Sequence, residues 1–144
     1  MYGACMKNFE AYDIIIMASA VADYTPVAKA SQKIKKKENE FSLSLIKTKD
    51  ILSEAGKIKS DSQILVGFAL ETENEKANAL EKLAKKNADF IVMNSLNNEA
   101  TGFGYATNKI SIFGRDGKEY DFPLKPKKEV AVDIVNLVTQ NNNE

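Results

Sequence analysis

Three apolar runs set the terms for any fold this chain can adopt. "DIIIMASA" from Asp13, "QILVGFAL" from Gln63 and "DFIVMN" from Asp89 are continuous stretches of Ile, Val, Leu and Phe rather than alternating ones. Strands of that kind are buried on both faces, the environment of a parallel sheet covered by helices. Parallel strands need long crossovers, and helical patterns lie between the runs. Asp50 stands where it would cap "KDILSEAGKIK", in which Gly56 weakens the helix or marks its C-terminal end. In "TENEKANALEKLAKKN", Thr72 is placed to cap, acids fill the first turn and lysines the last, and Ala77, Leu80, Leu83 and Ala84 make the apolar stripe.

Outside these runs the pattern changes. The opening "MYGACMKNFEAYD" reads as a short helix leading into the first strand. "KISIFGRDGKEYDFPL" is two alternating runs around "GRDG", a β-hairpin signal. A last helix, "KKEVAVDIVNLVTQ", packs Val130, Ile134 and Leu137 and frays into "NNNE". The segment Thr25 to Lys47 resists the order. It holds Pro26, a Ser/Gln/Lys-rich stretch, and then "FSLSLIK", where Phe41, Leu43 and Leu45 alternate at strand spacing. This reads as a β-arm whose free edge is paired by a second copy of the chain, giving a homodimer. The expectation is therefore a single α/β domain over residues 1–144. It has a Rossmann-like, mostly parallel sheet with flanking helices, a C-terminal β-hairpin and a protruding arm.

Composition removes whole classes of chemistry. No histidine is present, so neither a Ser-His-Asp triad nor a histidine metal site can be built from this chain. The seven glycines form neither a Walker loop nor GxGxxG. A lone Cys5 cannot make an internal disulfide, which points to the cytoplasm. "IIIMASAVA" is too short to span a bilayer, and Glu10 and Asp13 precede it where a signal peptide would carry lysines. No membrane association is expected.

Against 20 basic and 20 acidic residues overall, "KIKKK" from Lys33 to Lys37 is a local excess of positive charge. It reads either as a solvated loop or as a lid over a polyphosphate. Nucleic acid fits poorly, since the chain is neutral and no aromatic residues interleave the lysines as stacking platforms. Small residues end the first apolar run, which lets a ligand approach the backbone at the carboxyl end of the sheet. Lys82 and Lys86 sit one helical turn apart, a pair that repels by about 0.2–0.5 kcal/mol unless an anion lies between them. Asp23 could hold Mg²⁺ on phosphate or cap a turn, and Asn94 could bind a ligand or stabilise a loop. Phe68 is a core residue or a base-stacking one.

The motifs "ASAVADYTP", "KIKK" with its first lysine ten residues past Asp23, "KDIL", "VGFALET" and "DFIVMN" occur in an order that resembles the bacterial phosphopantothenoylcysteine synthetases. These phosphopantothenate-cysteine ligases are usually the C-terminal half of a bifunctional coenzyme A biosynthesis flavoprotein. The resemblance runs from about Asp13 to Leu137. It implies an enzyme that joins 4'-phosphopantothenate to L-cysteine through an acyl-cytidylate made from CTP with Mg²⁺. By the same resemblance the CTP site comprises the strand end Ser19 and Ala20, Asp23 with a role toward Mg²⁺, and the lid lysine Lys33 as the catalytic residue. Lys49, Asp50 and Ile51 fall at the cytosine edge, Phe68 matches the aromatic of "GF", and Lys82 and Lys86 match two more nucleotide-contacting lysines. Asn94 is a candidate on the substrate side. Ser19 departs from the family's alanine and Lys49 from its frequent proline, changes that backbone contacts tolerate.

The family's first strand, its glycine-rich turn and an "SNxSSG" segment have no counterpart in these residues. The chain therefore reads as the C-terminal portion of a ligase domain, inactive alone, with FMN confined to the decarboxylase half of a longer parent. The alternative is a nucleotide-binding or dimerisation module without catalysis of its own.

Overall fold

In the computed structural model, residues 1–35, 41–95, 101 and 104–140 are described. In chain order the elements are α1 (Tyr2–Lys7), a 3₁₀ turn (Phe9–Ala11), β1 (Ile14–Met17), β2 (Tyr24–Pro26), β3 (Leu45–Lys47), α2 (Ile51–Ile58), β4 (Ile64–Glu71), α3 (Glu75–Lys85), β5 (Phe90–Ser95), β6 (Thr107–Gly114), β7 (Glu119–Pro126) and α4 (Lys127–Gln140). They form two units, one of Met1–Ala18 with Ile51–Glu144 and the other of Ser19–Asp50.

The larger unit is a five-stranded sheet in the order β1-β4-β5-β6-β7. β1, β4 and β5 are mutually parallel, and the antiparallel hairpin β6–β7 continues from β5, so β6 alone runs against the other four strands. Strand alternation sends Leu65, Ala69, Ile91 and Met93 to one face, where they meet Phe9, Ala55 of α2, and Ala79 and Leu83 of α3. Val66, Phe90, Val92, Ile110 and Ile112 face the other way, against Val130, Ile134 and Val138 of α4. Helices on both faces of a largely parallel sheet are what the apolar runs predict. The hairpin turns at Gly117, whose φ of 81° suits a residue without Cβ. Beside it, a hydrogen bond and the charge of Lys118 hold the Asp116 carboxyl below its ordinary range. That contribution is present above the usual carboxylate pKa and is lost as pH falls through the lowered value.

Several expectations change. β1 is an edge strand, half-buried along its length with Ile16 exposed, rather than a strand buried on both faces. α3 begins at Glu75 after Asn74, which sits in the left-handed region, so Thr72 is not the cap. Its sheetward face is Asn78, Ala79, Lys82 and Leu83, while Ala77 and Leu80 look outward. The polar character of Asn78 and Lys82 disguised the inner face. α4 buries Val130, Ile134 and Val138, with Leu137 partly buried beside them; the expected fraying of "NNNE" lies outside the described residues.

Gly56 neither ends α2 nor merely weakens it. It is buried in the helix because α2 passes directly over the end of α3, and a Cβ there would stand 1.8 Å from the Lys86 carbonyl oxygen. Asn87 closes α3 with a φ of 50°. Its N–H donates to Ala84 and that of Ala88 to Leu83, the Schellman pattern. Its side-chain amide donates to the Gly56 carbonyl at 2.7 Å, fastening the two helices together.

Asp89, next along the chain, holds the amino end of the sheet. Its carboxylate accepts from the Leu65 N–H at 2.7 Å and from Lys59 Nζ at 3.0 Å. Arg115, on the hairpin turn, lies 3.6 Å from the same carboxylate, donates to the Ala88 carbonyl and bonds Asn87 Oδ1 at 2.6 Å. Buried Gln63 ties down the entry to β1 by donating to the carbonyls of Phe9 and Tyr12.

The smaller unit is a two-stranded antiparallel ribbon, β2 against β3. Thr48 N–H donates to the Asp23 carbonyl and Val27 N–H to that of Ser44, extending the pairing beyond both strands. The expected strand "FSLSLIK" is thus shorter, Leu45–Lys47, and pairs within its own chain.

Gly56→Ala separates two effects of opposite sign. Helix propensity alone would stabilise the protein by about 1 kcal/mol. The approach of Lys86 predicts a net loss of about 1–3 kcal/mol from overpacking. Urea unfolding should show a lowered midpoint; a raised one would refute the helix contact.

Candidate nucleotide site at the carboxyl end of the parallel strands

The smaller unit brings two of the predicted motifs together. The β2–β3 ribbon sets the strand end at Ala22 and Asp23 opposite Thr48, whose hydroxyl donates to the Ala22 carbonyl at 2.6 Å. Lys49 and Asp50 follow Thr48 immediately, so the "VADY" and "KTKD" segments are neighbours across one ladder. Ser19, Ala20, Asp23, Lys49 and Asp50 are all exposed. Lys33 and Lys35 are also exposed, on the connection between β2 and β3, whereas Lys36 and Lys37 lie outside the described residues.

The larger unit carries the remainder. Ile51 is the buried first residue of α2 and offers backbone only. Lys82 reaches inward from α3 and its ammonium donates to the Phe68 carbonyl at 3.1 Å. Phe68 lies one residue past the last pair of the β1 ladder, Met17 with Gly67. Lys82 therefore places a positive charge where the β1 ladder stops, on the carboxyl side of the strands where ligands of open α/β sheets bind. An ammonium has three donors, and this bond uses one.

Lys86 is the C-terminal cap of α3, half-buried, with its N–H on the Lys82 carbonyl. Glu81, on the exposed side of the same helix, bonds Lys85, and that hydrogen bond, followed by the charge of Lys85, holds its carboxyl below the ordinary range. Asn78 and Lys82 put polar side chains on the inner face of α3, and half-buried Lys86 follows at its cap.

Phe68 and Asn94 occupy the other side of the sheet. The Phe68 ring packs on the cluster beneath α4, so it shares only its carbonyl with Lys82. Asn94, near the end of β5, accepts at Oδ1 from Asn108 Nδ2 at 3.0 Å. Asn108 is 8% exposed, and its own oxygen accepts from the Lys109 N–H. Sequence reasoning missed Asn108. Its alternation with Ile110 and Ile112 on an inward face was the available signal, because a polar residue in that register must have a partner. Among the described residues, no three His, Cys, Asp or Glu side chains gather as a metal site. A single carboxylate such as Asp23 fits Mg²⁺ only in the nucleotide-borne form, where phosphates and waters supply the other ligands. No helix among the described residues is long and apolar enough to cross a membrane.

Comparisons with known proteins identify the family and the fold. The sequence model of the family described as "DNA/pantothenate metabolism flavoprotein C-terminal domain" matches residues 1–141. A "Cysteine/Cysteine sulfinic acid decarboxylase" from an unidentified prokaryote is 46% identical over 138 residues, covering 96% of this chain and 38% of that protein. The "Coenzyme A biosynthesis bifunctional protein CoaBC" of Bacillus subtilis is 42% identical over 135 residues, covering 94% of this chain and 33% of the relative. The chain thus spans about a third of the length of these curated relatives. Among solved structures, the C-terminal domain of a CoaBC protein superposes with a TM-score of 0.76 at 31% identity, covering 99% of this chain and 62% of that one.

Proposed function

Because the chain belongs to the family of DNA/pantothenate metabolism flavoprotein C-terminal domains, we propose that it is the CTP-binding portion of a ligase joining 4'-phosphopantothenate to L-cysteine in coenzyme A biosynthesis. The observation that carries the reading is Lys82, a half-buried lysine on the sheetward face of α3 whose ammonium sits where the β1 ladder ends. A cation held there by one backbone bond suits a polyanion at the strand ends. In this reading Ser19, Ala20, Asp23, Lys49, Asp50, Ile51 and Phe68 contact the nucleotide, largely through backbone, and Lys82 and Lys86 meet its phosphates. Asn94 lies toward the acyl substrate. The carboxylate of 4'-phosphopantothenate attacks the α-phosphorus of CTP, pyrophosphate leaves, and the cysteine amine then displaces CMP from the acyl carbon. Asp23 would help hold Mg²⁺ on the nucleotide, which would supply neutralisation of phosphate charge. Lys33 follows the pyrophosphate as charge develops on it, a contact strongest in the transition state.

The chain reads as the C-terminal portion of the ligase domain, with the first strand and glycine-rich turn supplied by sequence beyond it. By itself it is expected not to turn over substrate, and FMN belongs to a decarboxylase half of the parent. A cytoplasmic location follows from the pathway. A homodimer through the arm is supported by the ribbon itself. Leu45 and Ile46 point to opposite faces and both are exposed, as are Tyr24, Val27, Phe41 and Leu43. A two-stranded ribbon with two apolar faces is not stable alone in water.

The second reading, a binding or dimerisation module without catalysis, is separated by nucleotide preference. Calorimetry should show CTP binding more tightly than UTP or ATP, and Lys82→Met weakening it; equal binding of all three nucleotides would favour the module. In a completed ligase domain, Lys33→Gln should slow acyl-cytidylate formation by about 10²-fold, the scale of one lost electrostatic contact. Lys36→Gln should cost far less, and equal losses would replace the lid lysine with a diffuse patch. Sedimentation should find dimers that Phe41→Glu with Leu43→Glu dissociates; a monomer at high micromolar concentration would count against the arm interface.

A further inference from the structure

Two asparagines meet near the carboxyl end of β5, on the side of the sheet that carries α4. Asn94 stands two residues past Val92 and pairs with Leu70 of β4 on one side and Ile110 of β6 on the other. Asn108 precedes Ile110 by two residues, so alternation gives it the same face, where it is buried. Its Nδ2 donates diagonally across the ladder to Asn94 Oδ1 at 3.0 Å.

Neighbouring groups fix which way both amides point. A backbone N–H can only donate, so the Asn108 atom 3.1 Å from the Lys109 nitrogen must be its oxygen. The other arm of Asn108 is then its NH₂, a pure donor, and the Asn94 atom facing it must in turn be an oxygen. Reversing either amide would set two donors face to face. Asn94 is left with Nδ2 on the arm turned away from Asn108, and among the described residues that nitrogen has no hydrogen-bond partner. No buried side-chain nitrogen or oxygen among them is unpaired, so Asn94 Nδ2 keeps access to solvent. Gln63, at the other end of the strands, shows what an amide used only for packing does. Its Nε2 donates to the carbonyls of Phe9 and Tyr12 and its Oε1 accepts from the Ser60 N–H, so both arms are spent. Beside Asn94 the way is open, since its β4 neighbour Leu70 is 40% exposed.

We propose that Asn108 is a positioning residue, holding the Asn94 amide with Oδ1 inward and both N–H groups turned to an oxygen acceptor of the acyl substrate. The acceptor's identity rests on the ligase reading; the orientation of the amide does not. Position and charge select the acyl substrate over the nucleotide. Asn94 lies toward the carboxyl ends of β4 and β5, where open α/β sheets bind ligands, but on the face opposite α3 and Lys82. The Lys82 ammonium suits a polyphosphate, whereas Asn94 offers two neutral donors, matched to a carboxylate or an amide carbonyl. A neutral donor orients such an oxygen without neutralising the carboxylate that must attack phosphorus.

The test follows the side-chain NH₂ signals of the 144-residue chain by nuclear magnetic resonance. Without ligand, the Asn108 NH₂ protons should exchange with water about tenfold more slowly than those of Asn94, the scale of one hydrogen bond. Asn108→Asp keeps an oxygen for the Lys109 N–H but turns a second oxygen toward Asn94. The Asn94 amide must then reverse, and its protons should slow by about tenfold. Titrated 4'-phosphopantothenate should shift the Asn94 NH₂ signals. Asn108→Asp should raise its Kd about tenfold while the Kd values for CTP, UTP and ATP change less than about twofold. Asn94→Asp keeps the bond from Asn108 and replaces only the outward donors, so it should weaken 4'-phosphopantothenate equally, and it serves as the second arm where Asn108→Asp does not fold. Asn94 protons that exchange slowly in the unsubstituted chain, or that ignore Asn108→Asp, overturn the orientation. Asn94 signals indifferent to 4'-phosphopantothenate, or weakened nucleotide in place of weakened acyl substrate, overturn the acceptor. Preference for CTP over the other nucleotides plays no part in these readouts, so the two readings fail separately.

Discussion

The carboxylate of Asp89 is the point on which the larger unit turns. It joins the end of α2 through Lys59, the start of β4 through the Leu65 N–H, and the hairpin turn through Arg115, all from the first residues leading into β5. The Lys59 side chain is 6% exposed, so its charge has left water and depends on this partner. A buried pair of this kind adds little net stability over an apolar substitute, but removing one member costs about 3–5 kcal/mol. Its consequence is register. With the amino ends of β4 and β5 fastened to one side chain, their carboxyl ends emerge in a fixed relation.

The polar groups of the larger unit are thereby divided along the sheet. At the amino end the polar groups satisfy one another: Gln63, Asp89, Asn87 and Arg115 close a network on backbone carbonyls and N–H groups. Further along the strands, where the β1 ladder ends, Lys82 spends one donor on the Phe68 carbonyl. α3 links the two regions. Its last turn is locked by Asn87 onto Gly56, and Lys82 stands one turn before that lock, so the position of the ammonium is inherited from the Schellman closure and the helix contact beneath it. Lysines near a helix C-terminus also sit favourably on the helix dipole.

What the amino-acid sequence determined by itself was the set of elements and their order. Continuous Ile/Val/Phe runs of this length read as strands, and "GRDG" between alternating runs reads as a hairpin turn, because these patterns reflect burial and local φ/ψ. The motifs of "ASAVADYTP", "KDIL" and "VGFALET" were likewise legible, since each is a short local string. Tertiary structure decided the rest. The inner face of α3 was hidden because Lys82 and Asn78 are polar, and only the position of the Phe68 carbonyl explains why they point inward. Gly56 looked like a helix end because the chain of residues around it does not reveal Lys86 lying across it. β1 carries the composition of a central strand yet stands at an edge, because burial on its outer side depends on a neighbour and not on its own residues. Long-range pairings such as Asp89 with Lys59 or Asn94 with Asn108 are likewise set by which strands adjoin, information that no local pattern of residues contains.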